Sequence, residues 1–79
     1  MIEPVLLARL GDTVDEVVVL EWLVAVGDRV AAGDPLVRVE TDKVEVDVEA
    51  PVGGIVVDHA VAVDDEVPTG SVLCHIDVG

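Results

Sequence analysis

Apolar and charged residues alternate along two stretches of the chain that meet at Asp42-Lys43. Residues 37–40 read V-R-V-E, and residues 44–49 read V-E-V-D-V-E. A period of two is typical of β-strands with one face packed and the other in solvent. The phase slips across Asp42-Lys43, and a two-residue hairpin loop explains the slip. The pattern therefore predicts a β-hairpin with these two residues at its tip.

The predicted hairpin has a defined register. Closing the two-residue loop produces five cross-strand pairs: Thr41 with Val44, Val39 with Val46, Val37 with Val48, Arg38 with Asp47, and Glu40 with Glu45. The valine pairs face inward and Arg38 attracts Asp47, but Glu40 repels Glu45. Either the register differs at this point or the acidic rim has a use other than stability.

Turn residues recur at short intervals along the rest of the chain, which favours many short strands. We predict six of them: Val5–Leu10, Val17–Leu23, Leu36–Thr41, Val44–Ala50, Ile55–Val61 and Val72–Ile76. Valine occupies 21 of the 79 positions, and β-branched residues suit a pleated, half-buried surface. No window of ten or more residues shows a clean helical stripe, so the predicted class is all-β.

The chain also resembles itself at a shift of 37 residues. Residues 24–40 align with residues 61–77, and seven of the seventeen positions are identical. Two copies are too few for a solenoid, which needs about three repeats to bury a core. A pseudo-twofold sandwich explains the repeat better, with each half supplying a sheet that is apolar on one face.

Size and charge exclude several classes of function. We expect residues 1–79 to form one domain, which is too small to enclose a deep catalytic cleft. A net charge of −13 disfavours nucleic acid and anionic membrane surfaces as partners. A single cysteine fits a reducing compartment, and no apolar run approaches the roughly 18 residues of a membrane span.

Few other residues suggest chemistry. Cys74 and His75 are neighbours in a predicted strand, so their side chains point to opposite faces and do not form a dyad. We expect Cys74 to be a buried hydrophobe, His59 and His75 to lie at surface or edge positions, and Trp22 to be a packing residue. We predict no catalytic residues and no metal site.

Lys43 is the only lysine of the chain and lies at the predicted hairpin tip. Its neighbours read E-T-D-K-V over residues 40–44, with Gly27 sixteen residues before the lysine and Gly54 eleven after it. Together with the stretches around residues 11–16, 21–23, 33–37 and 50–54, this pattern resembles the lipoyl domains of dihydrolipoyl acyltransferases from 2-oxo acid dehydrogenase complexes. The resemblance covers nearly the whole chain.

The resemblance implies a flattened barrel of two four-stranded antiparallel sheets related by a pseudo-twofold axis. It also implies that lipoate is attached covalently to Lys43, with Asp42 and Val44 as the context that the lipoate-attaching enzyme recognises. The domain would then be a carrier within a dihydrolipoyl acyltransferase and not an enzyme itself. We expect it to be monomeric, and to be cytoplasmic in a bacterium or archaeon or in the mitochondrial matrix of a eukaryote.

The partners implied by the resemblance are the 2-oxo acid decarboxylase component, the acyltransferase core and dihydrolipoyl dehydrogenase. A group on a flexible tether visits several active sites without dissociating into bulk solvent. Glu40, Asp42 and Glu45 form what we call the acidic collar of the hairpin. We expect this collar to steer basic surfaces of partner proteins by charge complementarity.

Two alternatives to a lipoyl carrier follow from the sequence. A biotinyl carrier domain has the same fold and also presents a lysine on a hairpin, but that lysine is typically flanked by methionines. Here Met1 is the only methionine, and Asp42 and Val44 flank Lys43. The second alternative is an unmodified acidic module that binds a basic protein through the collar.

Overall fold

Eight strands form the frame of the domain. The computed structural model describes residues 1–8, 15–42 and 44–79, and these contain no helix, and so none long and apolar enough to cross a membrane. The strands are β1 (Ile2–Leu6), β2 (Glu16–Trp22), β3 (Arg29–Val30), β4 (Pro35–Glu40), β5 (Glu45–Glu49), β6 (Gly54–His59), β7 (Glu66–Pro68) and β8 (Val72–Asp77). They form two antiparallel sheets, ordered β1-β8-β6-β3 and β5-β4-β2-β7. The predicted all-β class and the two four-stranded sheets are confirmed.

Five of the six predicted strands agree with the structure to within two residues. The prediction of a strand over Val5–Leu10 is wrong in its bounds, because β1 begins at Ile2 and ends at Leu6. Pro4 lies inside this strand, which is possible because β1 is an edge strand and needs no N–H donor on its outer side. Leu10 itself lies outside the described residues. The sequence also missed β3 and β7, which are too short to show a period.

The two short strands are exchanged between the sheets. β3 follows β2 in the chain but pairs with β6, and β7 follows β6 but pairs with β2. Each half of the chain therefore supplies an edge strand to the sheet of the other half. Neither half can complete its sheet alone, so we expect the two halves to fold as one cooperative unit.

The internal repeat extends to individual backbone contacts. A shift of 37 residues superposes the β2–β4 pairing on the β6–β8 pairing, including one bulge in each. A carboxylate closes the same turn in both halves: Asp28 Oδ2 accepts the N–H of Ala25 at 2.8 Å, and Asp65 Oδ2 accepts the N–H of Ala62 at 2.9 Å. The predicted pseudo-twofold is thus present in the main chain as well as in the sequence.

Gly54 occupies a position that only glycine fits. A Cβ at this residue would collide with the backbone oxygen of Asp77 on the neighbouring strand. Its repeat counterpart is Val17, whose side chain is buried in β2. The glycine eleven residues after Lys43 therefore has a structural reason, which is the close approach of β6 to β8.

The core lies between the two sheets and consists almost entirely of branched aliphatic side chains. Fourteen buried hydrophobic residues form it: Val5, Leu7, Val17, Val19, Val30, Leu36, Val37, Val39, Ala50, Val56, Val67, Leu73, Cys74 and Ile76. Within the described part of the chain, no polar or charged residue is buried. The predicted inner-face pairs meet as expected: Val39 faces Val46 and Val37 faces Val48.

The pseudo-twofold relates two stacked rings. Trp22 and His59 are repeat counterparts, and their ring centroids lie 3.8 Å apart with an interplanar angle of 3°. Trp22 Nε1 donates to the carbonyl oxygen of Val61 at 3.0 Å, whereas Nε2 of His59 is buried and has no hydrogen-bond partner. The packing role predicted for Trp22 is confirmed. His59, expected at a surface or edge position, is half-buried at the end of β6, with its ring stacked on Trp22.

We expect this stack to be an energetic link between the halves. A double-mutant cycle of Trp22→Ala and His59→Ala should give a coupling of about 0.5–1.5 kcal/mol, the range for an aromatic pair. Urea unfolding followed by circular dichroism measures it without relying on tryptophan emission. A matched cycle of Trp22→Ala with His75→Ala should be additive. Equal coupling in both cycles would contradict a specific contact between the rings.

Candidate functional site

The hairpin between β4 and β5 carries the candidate site. The register is the predicted one from Val37 and Val48 to the tip, with Arg38 opposite Asp47 and Glu40 opposite Glu45, and it shifts only between Pro35 and Val37. The edge strand β5 borders only β4, so the hairpin lies at the margin of its sheet. Lys43 lies outside the described residues, but its neighbours Asp42 and Val44 are both exposed.

Thr41 and Val44 close the hairpin at its tip. The N–H of Thr41 donates to the carbonyl oxygen of Val44 at 2.9 Å. The Thr41 hydroxyl Oγ1 accepts the N–H of Val44 at 3.3 Å and lies 3.1 Å from the carbonyl oxygen of Val44, to which it donates. The pairing of Thr41 with Val44 that the two-residue loop predicted is confirmed, and a side chain contributes to it.

Carboxylates surround the base of the tip. Glu40 and Glu45 are exposed and directly opposed, and Asp42 is exposed beside them. A groove of about 250 Å³ runs from the hairpin to β2 and β7 and is also lined by Glu16 and Glu66. The sequence reasoning missed these two glutamates, because they belong to strands that are remote from the hairpin in the chain. The acidic surface is thus wider than the predicted collar.

The repeat shows that the fold itself does not require these acids. A second groove, displaced by 37 residues, lies beside the chain termini. In it, Gly53 replaces Glu16 and Arg29 replaces Glu66. In the ladder, Ile2 lies opposite Asp77 where Glu45 lies opposite Glu40. The same backbone therefore accommodates a different charge pattern.

Arg38 is the basic residue on the outer face of the hairpin. Its Nε donates to Asp47 Oδ1 at 2.9 Å, and one terminal nitrogen lies 4.0 Å from Glu21 Oε2. The hydrogen bond with Asp47, reinforced by the charges of neighbouring carboxylates, raises the pKa of Arg38. Arg38 thus pairs directly with Asp47 in the middle of the strand pair and attracts Glu45 only at longer range, so the pair of glutamates at the end is only partly compensated.

Other titratable groups lie away from the hairpin tip. His75 Nδ1 lies 3.0 Å from both carboxylate oxygens of Asp58. This contact is the repeat counterpart of the contact between Arg38 and Glu21. Cys74 is buried, and desolvation together with the charge of Asp58 raises its pKa to about 11. Across the described ranges, no group of three or more His, Cys, Asp or Glu side chains could hold a metal ion.

Comparison with known proteins decides the family. A family model described as "Biotin-requiring enzyme", which covers biotin and lipoyl carriers, matches residues 3–76. The chain belongs to the biotin/lipoyl family. Within it, the chain groups with the lipoyl domains, because its relatives are dihydrolipoyl acyltransferases.

Three relatives of the lipoyl domain are components of three different 2-oxo acid dehydrogenase complexes. The dihydrolipoyllysine-residue acetyltransferase of the pyruvate dehydrogenase complex from Mycobacterium bovis is 42% identical over 76 residues, which is 96% of the chain and 14% of the relative. A succinyltransferase component of the 2-oxoglutarate dehydrogenase complex from Bartonella vinsonii is 37% identical over 89% of the chain and 17% of that protein. The lipoamide acyltransferase of the branched-chain complex from Bacillus subtilis is 33% identical over 96% of the chain and 18% of that protein. The chain thus spans less than a fifth of the length of these relatives.

A solved structure has the same fold. The lipoyl domain of the 2-oxoglutarate dehydrogenase complex from Azotobacter vinelandii superposes with a TM-score of 0.76 and covers 96% of each chain, at 24% identity. This likeness supports the flattened barrel of two sheets that the sequence resemblance implied.

The raised pKa of Cys74 predicts a pH dependence of stability. A folded-state pKa of about 11 lies above the ordinary thiol value, so the folded domain holds this proton more tightly than the unfolded chain. The resulting stabilisation is present below pH ~9 and is lost as the pH rises through 11. Urea unfolding should therefore show that the difference in the free energy of unfolding between the native domain and Cys74→Ala decreases by about 1–2 kcal/mol between pH 8 and pH 11. A difference that stays constant would contradict a buried, protonated thiol.

Proposed function

We propose that Lys43 is the lipoyl attachment residue and that the domain is a swinging-arm carrier in a 2-oxo acid dehydrogenase complex. The observation that supports this most directly is the two-residue tip, bracketed by Thr41 and Val44, in which the only lysine of the chain stands between two exposed residues. An attaching enzyme must reach the amine of its target lysine, and the exposure of both flanking residues, Asp42 and Val44, is consistent with such access. Membership of the family supports lipoate as the attached group, and the hairpin supports Lys43 as the proposed attachment residue.

The attachment chemistry is an amide formation. The Lys43 amine attacks the carbonyl carbon of lipoate that has been activated with AMP, a C–N bond forms, the bond to AMP breaks, and the amine loses a proton. When bound, the dithiolane supplies reductive acylation, acyl transfer and two-electron reoxidation at partner enzymes. The domain's own residues hold the attachment point and need no acid–base role, and tethering raises the local concentration of the carried group.

The proposed partners are the decarboxylase component, the acyltransferase core, dihydrolipoyl dehydrogenase and the lipoate-attaching enzyme. The relatives named above are components of pyruvate, 2-oxoglutarate and branched-chain complexes, which supports partners of these kinds. Attachment also converts the ammonium of Lys43 into a neutral amide. The acidic collar of Glu40, Asp42 and Glu45 then has no cation at the tip, which favours basic partner surfaces.

The attachment residue can be tested with a lipoate–protein ligase, lipoate, ATP and magnesium. Intact mass spectrometry should show one lipoyl adduct on the native domain and none on Lys43→Arg, because arginine keeps the charge but offers no acylatable amine. A biotin–protein ligase with biotin and ATP should leave the native domain unmodified. Biotinylation of Lys43, or a domain that accepts neither group, would overturn the proposal and favour the biotinyl or unmodified alternative.

The collar can be tested by charge reversal with a matched control. Glu45 lies next to the tip, whereas Glu49 is exposed on the same strand about 13 Å further from it, at roughly 3.3 Å per residue. Glu45→Lys should slow reductive acylation by the decarboxylase component severalfold at low salt and flatten its salt dependence. Glu49→Lys makes the same change in net charge and should have a smaller effect. Equal effects of the two variants would show that net charge alone matters.

A further inference from the structure

Thr41 closes the hairpin tip through its hydroxyl as well as through its backbone. We infer that Thr41 is a positioning residue for modification of Lys43, an inference that rests on the proposed function. Its Oγ1 and its N–H together engage both backbone polar groups of Val44, at distances of 2.9–3.3 Å. One side chain therefore holds the two ends of the Asp42-Lys43 loop together.

The hydroxyl takes the place of a main-chain acceptor. In a two-residue hairpin, the residue after the loop ordinarily donates its N–H to the carbonyl of the residue before the loop. Here the N–H of Val44 reaches Oγ1 of Thr41 instead, at 3.3 Å. A threonine hydroxyl can accept this bond and donate one of its own at the same time. A valine at position 41 would keep the shape and the β-branched stiffness of the side chain but would lose both contacts.

The contacts between Thr41 and Val44 lie next to a repulsive pair in the ladder. Glu40 and Glu45 are opposed in the ladder, one step below Thr41 and Val44. Like charges in directly opposed positions destabilise the end of a strand pair. Arg38 pairs with Asp47 two residues further down the ladder; it attracts Glu45 at longer range but forms no direct ion pair with Glu40 or Glu45. The hydroxyl contacts therefore act where the hairpin would otherwise open.

The repeat provides an internal control for this role. At a shift of 37 residues the counterpart of Thr41 is Val78, and in the ladder Ile2 lies opposite Asp77 where Glu45 lies opposite Glu40. Val78 donates its N–H to the carbonyl oxygen of Met1 at 2.8 Å, without any hydroxyl. The fold thus tolerates valine at this position where no lysine-bearing loop has to be closed. The hydroxyl is specific to the half that presents Lys43.

A tip that opens would lower the rate at which Lys43 is recognised. An attaching enzyme that binds only the closed tip has its apparent affinity reduced by the fraction of time that the tip is closed. Loss of two exposed hydrogen bonds lowers the equilibrium constant for closing the tip by roughly three- to tenfold, and the closed fraction falls by up to that factor. This drop should be seen in kcat/KM for lipoylation and not in the folding of the core.

The experiment compares Thr41→Val with Thr41→Ser in the intact domain. Thr41→Val should lower kcat/KM for lipoylation by the ligase about three- to tenfold, whereas Thr41→Ser, which keeps the hydroxyl, should stay within about twofold of the native domain. Independently of modification, Thr41→Val should speed hydrogen exchange at the Val44 amide. The Ala50 amide, which donates to the carbonyl oxygen of Asp34 at 2.8 Å, serves as the control and should exchange at an unchanged rate.

A second background tests the link to the repulsive pair. When Glu45→Gln is present, Thr41→Val should lower kcat/KM for lipoylation by a smaller factor, close to one. The reason is that a glutamine at position 45 does not repel Glu40, so there is less repulsion for the Thr41 hydroxyl to oppose. Equal lipoylation of Thr41→Val and the native domain, or equal losses for Thr41→Val and Thr41→Ser, would overturn the inference. Failure of the native domain to accept lipoate would instead overturn the proposed function.

Discussion

The whole domain depends on burying small, branched side chains between two sheets that are near copies of each other. The core contains valine, leucine, isoleucine, one alanine and one cysteine, and no aromatic ring lies fully inside it. Each of these side chains buries little apolar surface area, so many of them must be in contact, which requires the two sheets to pack closely along their whole length. The exchange of β3 and β7 ensures this, because each half completes the sheet of the other. The stack of Trp22 on His59 joins the halves at counterpart positions.

A symmetric frame also makes the asymmetric features easy to recognise. The β4–β5 hairpin and the paired ends of β8 and β1 occupy equivalent positions, yet only the hairpin has opposed glutamates and a hydroxyl at its closure. These features are not needed to build the backbone, since the other half is built without them. They occur in the half that contains Lys43. We therefore propose that the functional residue of this lipoyl domain lies where the two copies differ.

Much of this could be predicted from the sequence. The alternation of apolar and charged residues is interrupted at Asp42-Lys43, and this interruption predicted the hairpin register. Every pair expected from that register is present, including the unfavourable pair of Glu40 and Glu45. The repeat correctly indicated two related sheets. Strands of two or three residues could not be predicted, because so short a segment shows no period. The groove residues Glu16 and Glu66 were missed because they come from strands remote in the chain, and the proximity of His59 to Trp22 arises only when the halves assemble.

We propose that a hairpin tip closed by Thr41 carries Lys43 as the single attachment point for lipoate. Peptide mapping by mass spectrometry of the protein isolated from its own cells tests this most directly. The account predicts that the peptide spanning residues 42–44 carries a lipoyl group on Lys43 and that no other residue is modified. A biotinyl group on Lys43, or a lysine that is unmodified in cells that lipoylate other proteins, would contradict it.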